Sequence, residues 1–430
     1  MVSVSPINFE ISPEGDHSPA PLAPVSSRDR NASARFFHFG FISCLILQRF
    51  GYELGGSAIY AALPLFIACL SWLLATGRAK FGIKQIMWFI LLGAVAVASS
   101  TVAMIVPDNR VGISFLSPIA LFLNCMLFLV RPGDKFERGI GLDIFIFYCK
   151  ILAIFGISQY FLQFIGIKIF SFSENFPILR PILADSGYNF NAVTDYYSRI
   201  GRSNGFFLLE PSIFSQVLII AVCVEYFIFE RFRNLPLFGI AYLVSGSGTG
   251  LLCLAVSVPI FALVFYRQAM RLIPFFMMGS LAVVLLALLF PDQIAYLIGR
   301  SAELNAHGSS GNARYVEQFN SINAVIDEFR TIFIGFGPGA TERATFVAPG
   351  SFGSIQKLTI DYGLFGMFVY TTLVISAIWR TDMAILPILA LIVYALGGNY
   401  IFLSPIITLL LLLCAWCDRP PPAATPEERK

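Results

Sequence analysis

Long apolar runs separated by short basic connections fill the chain from Phe36 to Trp416. A bilayer core takes about 20 apolar residues as helix, and most of the runs have about that length. The pattern predicts spans at Phe36–Leu54, Ser57–Thr76, Gln85–Val106, Ser114–Val130, Leu142–Ile165, Ser212–Phe229, Leu272–Phe290, Gly363–Trp379, Met383–Leu396 and Tyr400–Trp416. Between Pro236 and Tyr266 the apolar run is too long for one span and short for two. Ser245-Gly-Ser-Gly-Thr-Gly250 breaks it, because closely spaced glycines favour a turn. Reading Pro236–Val244 and Leu251–Tyr266 as two limbs of a hairpin gives an all-α polytopic membrane protein of about twelve transmembrane helices.

Two long polar stretches interrupt this pattern, Gly166–Glu210 and Pro291–Tyr362. Basic residues orient them. Short cytoplasmic connections collect Lys and Arg. With an even number of helices, Arg28, Arg30, Arg35, Arg78, Lys80, Lys84, Arg131, Lys135, Arg138, Arg231, Arg233, Arg267, Arg271 and Arg380 fall on one side with both termini. The expected organisation is a disordered cytoplasmic tail over 1–35, a membrane domain over 36–417 and a cytoplasmic tail over 418–430. Both long loops, 166–211 and 291–362, are then extracytoplasmic.

Composition agrees with a membrane protein: 57% of residues are hydrophobic, 43 are Phe, and only 13% are charged. The eight cysteines all lie in or beside apolar runs, so no disulfide framework is expected in the outer loops. Cys414-Ala-Trp-Cys417 has redox-motif spacing but ends an apolar run, which favours plain packing. The three histidines, His17, His38 and His307, are scattered, and nothing has metal-ligand spacing. No phosphate-binding glycine loop of the nucleotide-binding type is present. The reading therefore expects no metal, no cofactor and no nucleic acid.

Candidate chemistry sits in the outer loops. Arg199 and Arg202 precede an apolar helix at the level of a lipid headgroup; they could bind an anionic headgroup, snorkel, or pair with Asp195 and Glu210. Glu210-Pro-Ser212 reads as a helix start, where a carboxylate complements the helix dipole. The same carboxylate beside two arginines could serve as a general base. In the second loop, Gly308-Ser-Ser-Gly-Asn-Ala-Arg-Tyr315 would let Arg314 and Tyr315 approach a substrate, unless Arg314 pairs with Glu317. Val316, Phe319, Ile322, Val325, Ile326, Phe329 and Ile332 recur at helical spacing and predict an amphipathic helix, which Gly335-Phe-Gly-Pro-Gly339 ends. Arg300, Gly337 and Gly339 are further substrate-binding candidates. Arg49 lies toward the face of the two loops, whereas Lys150 and Glu225 lie within snorkelling reach of the cytoplasm. Tyr188, Phe190, Tyr196 and Tyr197 could stack on sugars or pack the loop.

The chain resembles the Wzy/WaaL superfamily of bacterial O-antigen polymerases and ligases. The resemblance rests on Arg202-Ser-Asn-Gly-Phe-Phe-Leu-Leu-Glu-Pro-Ser212, the break at Ser245–Gly250, Phe336-Gly-Pro-Gly339, Asp361-Tyr-Gly-Leu-Phe-Gly366 and Gly397-Gly-Asn-Tyr400. It implies a GT-C-like glycosyltransferase of the inner membrane acting on glycans carried by undecaprenyl diphosphate, with a chain-length regulator as a candidate partner. Ligases of the family carry a His before a nine-residue spacer and Gly-x-x-Gly. Here that position falls on Phe352-Gly353, so the resemblance favours a polymerase of O-antigen, capsule or exopolysaccharide. A ligase transferring the glycan to lipid A core or protein, and a transporter of a lipid-linked glycan, are the alternatives. The polymerase reading expects Arg202, Glu210 and Arg314 to be catalytic, with Arg199, Arg300, Tyr315, Arg49, Gly337 and Gly339 binding substrate.

Overall fold

An apolar helix satisfies its backbone within itself, so a chain of such runs folds by packing helices side by side. The computed structural model describes residues 26–54, 57–106, 112–184, 200–264, 328–343, 352–380, 383–396 and 400–419, with a few single positions between them. In order the helices are α1 (Ser27–Phe41), α2 (Ala62–Ala75), α3 (Ile83–Ile105), α4 (Leu116–Cys125), α5 (Gly141–Leu162) and the short α6 (Phe172–Asn175). Then come α7 (Pro211–Cys223), α8 (Leu235–Ser245), α9 (Gly248–Val264), α10 (Phe329–Ile334), α11 (Ala340–Arg343), α12 (Ser354–Ile378), α13 (Ile385–Leu396) and α14 (Ser404–Leu411). Single π turns extend α1 to Ile46, α7 to Ile228 and α14 to Trp416. Among the described residues four helical stretches are long and apolar enough to cross a membrane: Ile83–Ile105, Gly141–Ile165, Pro211–Ile228 and Ser354–Ile378. The most apolar stretch of the third is 89% buried, against 17% for the first, so α7 is central and α3 peripheral.

Hydrogen bonds show how the helices alternate. At one end, Asp29 pairs with Arg78 at 2.7 Å, Ser33 Oγ accepts from Glu137 N at 2.9 Å, and Asp418 N donates to the Arg138 carbonyl. Arg380 and Arg231 lie there too, bonded to the Cys417 carbonyl and to Asp143. This arginine end gathers Arg78, Arg138, Arg231 and Arg380 of the basic residues that the sequence placed on one side, with both ends of the described chain; Arg267 and Arg271 lie outside the described residues. The Asp29 carboxyl is held below its usual range, first by the Ser26 hydroxyl and then by Arg78. Around the same end the rings of Phe36 and Phe136 close on Trp416 at 4.6 and 5.0 Å, tying the first helix to the last. The opposite end carries the loops.

The break between α8 and α9 is real. Asn234, at the start of α8, bonds Glu225 near the end of α7, while Ser203 N, just ahead of α7, bonds Val244 O near the end of α8. The two helices are therefore antiparallel. α9 then runs parallel to α7: Gly250 N meets Ser215 Oγ at 3.1 Å and Phe261 meets Phe227 with centroids 5.4 Å apart. The chain thus reverses twice between Pro211 and Val264, as the hairpin reading requires. The two limbs pack on different neighbours, α8 on α5 and α7, α9 on α7 and α13.

Boundaries differ from the sequence expectation at several places, and the outer loop expected over 291–362 ends early, because α12 begins at Ser354 rather than at Gly363. The first helix begins at Ser27, capped by the Ser26 hydroxyl, rather than at Phe36, because a capped polar turn extends an apolar helix without adding hydropathy. The expected spans Phe36–Leu54 and Ser57–Thr76 each give up residues to a β-hairpin, β1 (Gly51–Leu54) against β2 (Ser57–Tyr60), at the loop end. A second ladder pairs β3 (Ala79–Phe81) with β4 (Val130–Pro132) at the arginine end. Of the expected amphipathic helix, Ile322, Asn323 and the buried Val325 are helical, and α10 follows after the extended Glu328. The expected span Leu272–Phe290 lies outside the described residues apart from Leu288.

Gly363 breaks α12 with φ 67° and ψ −170°, a region open in practice to glycine alone. There the backbone of Phe333 and Ile334 lies against it, so that a Cβ would sit 2.3 Å from the Phe333 carbonyl carbon. Gly363→Ala is expected to lower stability by at least ~2 kcal/mol, from strain and clash together. Gly239, in α8, has open space where a Cβ would go. Gly239→Ala is expected to be neutral or stabilising by ~0.5–1 kcal/mol. Thermal unfolding of both variants in detergent checks the contrast.

Candidate functional site

At the loop end two irregular segments are fixed by buried polar side chains. The first is 200–210. Gln159 of α5 is 2% exposed, and its Oε1 accepts from Ser203 Oγ (2.9 Å), Asn204 N (3.1 Å) and Phe206 N (3.3 Å). Its Nε2 donates to Ile169 O and Asn204 Oδ1. One turn on, Gln163 accepts from Gly201 N and donates to Gly201 O. Gln48 Oε1 accepts from Leu209 N at 2.9 Å. Arg49 is fully buried: Nε donates to Leu208 O at 3.0 Å, both Nη atoms reach Phe170 O at 3.1 Å, and the guanidinium lies 4.5 Å from the Phe172 ring centroid. Here Arg49 clasps the first loop to the end of α1.

This frame presents Arg202 and Glu210. The Arg202 side chain lies over the α8–α9 break, where a Cβ on Gly246 would come within 3.3 Å of its Cγ. Glu210 occupies the N-cap position of α7, followed by Pro211 at the first helical position. Its carboxylate does not cap the helix; Oε2 accepts from Ser212 Oγ at 2.6 Å. Both side chains are half-buried at the loop end.

The second segment is 335–343, and here the structure brings together residues the sequence reading did not single out. Lys357, on α12, is 2% exposed. Its ammonium meets Asp361 Oδ2 at 3.0 Å, together with Thr341 Oγ1 and Glu342. Asp361 is fully buried and accepts from Thr341 N (3.0 Å) and Gly339 N (3.3 Å), while its carbonyl accepts from Gly337 N (3.0 Å). Gly337 and Gly339 thus give their N–H groups to Asp361. Both have positive φ and pack tightly, since a Cβ would come within 2.8 Å of Ala103 Cβ and 2.5 Å of Ser114 Cβ respectively. The spacing of Lys357 and Asp361, four apart on one helix face, is the signal that could have revealed the pair.

The turn before α14 joins the two segments. Tyr400 N donates to Ser354 Oγ at 3.2 Å, Tyr400 Oη donates to Gln216 Oε1 on α7 at 2.6 Å, and the Phe402 ring lies 5.0 Å from the Lys357 ammonium. The turn thus reaches α7 at Gln216 on one side and the start of α12, with Lys357, on the other.

Arg199, Arg300, Arg314 and Tyr315, and the first-loop aromatics Tyr188, Phe190, Tyr196 and Tyr197, lie outside the described residues. Lys150 is half-buried in α5. Glu225 is fully buried and accepts from Asn234 Nδ2. All eight cysteines are free. Among the described residues no three His, Cys, Asp or Glu side chains come together as a metal site.

Removing Lys357 would leave Asp361 buried without its counter-charge. Lys357→Met is expected to destabilise the protein by about 3–5 kcal/mol. Adding Asp361→Asn should recover part of that loss, because the charge goes and an oxygen remains for Thr341 N. Thermal unfolding of the single and double variants measures the difference; equal losses would separate the two groups energetically.

Compared with known proteins, the chain matches no protein-family model, and no curated protein matches it.

Proposed function

We propose that the chain is a polysaccharide polymerase of the bacterial inner membrane. It joins repeat units carried on undecaprenyl diphosphate, with the loop end outside the membrane and the arginine end in the cytoplasm. One observation carries this reading: the described loop segments converge on one end of an apolar bundle, opposite the basic connections. Cytoplasmic connections collect Lys and Arg, which supports that orientation and about twelve spans in a GT-C-like arrangement. The order of Arg202–Ser212, Phe336–Gly339, Asp361–Gly366 and Gly397–Tyr400 supports the resemblance, and Phe352-Gly353 in place of the ligases' histidine favours the polymerase branch.

In the proposed reaction the growing glycan on undecaprenyl diphosphate is the donor. A sugar hydroxyl of a new lipid-linked repeat attacks the anomeric carbon. The C–O bond to the diphosphate breaks, and undecaprenyl diphosphate leaves with the bonding pair. Glu210 takes the hydroxyl proton. Arg202, with Arg314 from the second loop, balances the charge that builds on the leaving diphosphate; a guanidinium can bind phosphate oxygens bidentately. Arg199, Arg300 and Tyr315 are proposed to bind the same substrate. Arg49, Gly337 and Gly339 support it indirectly by fixing the segments that carry these groups.

A charge-assisted contact to phosphate contributes roughly 1.5–3 kcal/mol. At about 1.4 kcal/mol per decade, Arg202→Ala should slow polymerisation about tenfold or more. Arg202→Lys should rescue only partly, because it keeps the charge and loses the fork. Arg231→Ala, an exposed arginine at the opposite end, is the control. Polymer length and amount at matched membrane levels give the answer; an Arg202→Ala strain that polymerises like wild type would refute the assignment.

A further inference from the structure

An open cleft of about 240 Å³ lies on the flank of the bundle near the loop end. Ile154, Phe155, Ser158 and Leu162 of α5 form one wall, Ile167 and Ile169 another, and Phe206 closes it, with Gln159 among the lining residues. The helix face around it is apolar and outward: Ile154 is 53% exposed, Phe161 58% and Ile165 72%. On a helix read as crossing the membrane, such a face meets lipid chains.

Two further observations make this more than a bare apolar face. First, Phe206 holds φ at 67°, a genuine outlier for a bulky residue. Strain of this kind persists where the surroundings over-determine it. Here Gln159 accepts the Phe206 N–H, and the ring packs on Phe155 and Phe172 with centroids 5.7 and 5.0 Å away. The strain holds an aromatic ring at the mouth of an apolar cleft. Second, a lysine adjoins the cleft rim in the chain. Lys168 stands between the lining residues Ile167 and Ile169, is exposed, and makes no ion pair with a described residue. An apolar slot in the bilayer flank with an exposed lysine one residue from its lining matches one amphiphile: an acyl chain below and an acidic headgroup above.

We propose that this cleft is a binding site for an anionic bilayer phospholipid, its acyl chain between α5 and Phe206 and its phosphate beside Lys168. The bound chain would touch Phe206 and Gln159, the two residues that set the path of the segment carrying Arg202. The lipid would thereby brace that segment from the membrane side. The inference needs the chain to lie in a membrane and does not need it to transfer sugars.

The test reads lipid retention, so it is independent of activity. The full chain is placed in nanodiscs of phosphatidylglycerol with phosphatidylcholine, extracted into mild detergent, and its bound lipid is identified by native mass spectrometry. Phosphatidylglycerol should stay on the wild type in preference to phosphatidylcholine. Ser158→Phe, which fills the slot, and Lys168→Glu, which reverses the rim, should each reduce retention at least about fivefold. Lys168 is exposed, so its variant tests the site even if Ser158→Phe fails to fold. Equal retention of the two phospholipids would overturn the proposal. So would a Lys168→Glu protein that keeps its lipid, or displacement of phosphatidylglycerol by an equal amount of a polyprenyl phosphate.

Discussion

Irregular backbone inside an apolar bundle must find its hydrogen-bond partners within the protein. The loop end obeys this constraint in two ways. Gln48 and Arg49 in the turn after α1, Gln159 on α5 and Gln163 just past its end reach into the 200–210 segment and bond its backbone groups. On the other side Asp361 does the same for 337–341, and Lys357 neutralises it. A buried amide or carboxylate with all its partners is rigid, whereas one missing partner is costly. The described segments 200–210 and 337–341 are therefore anchored to the helices by side-chain bonds.

The central helix transmits this order. α7 starts at Glu210-Pro211, meets α9 at Ser215 and reaches the turn before α14 through Gln216 and Tyr400. That turn holds Ser354, and α12 holds the glycine-rich segment through the break at Gly363. The turn before α14 thus contacts α7 just past the first segment and the start of α12, the helix that holds the second.

Much of this was legible in the sequence. Apolar length located nearly every described helix, and the glycines at 246–250 marked a true reversal. Basic residues gathered at one end, as their spacing implied. The misses have physical reasons. Gly51–Tyr60 is apolar enough to pass for helix ends, yet Gly55-Gly56 between two short β-branched and aromatic runs is a hairpin signal that hydropathy alone ignores. Arg49 was read as facing a ligand because a sequence shows its depth along a helix and not its rotation. It turns into the protein, onto carbonyls more than a hundred residues away. Lys357 escaped notice because it precedes an apolar run and resembles an ordinary boundary lysine, and only the fold shows Asp361 and Glu342 around it. The placing of Glu210 at a helix start was readable from Glu-Pro-Ser, whereas its bond to Ser212 was not.

The proposed function requires the loop end to join lipid-linked glycans. The direct measurement is purified protein in liposomes, supplied only with undecaprenyl-diphosphate-linked repeat units and analysed for glycan length. The expected product is a ladder of multiples of the repeat, with undecaprenyl diphosphate released in step with each addition. Repeats that remain single units with this protein alone, yet are transferred intact when lipid A core is added, would contradict it.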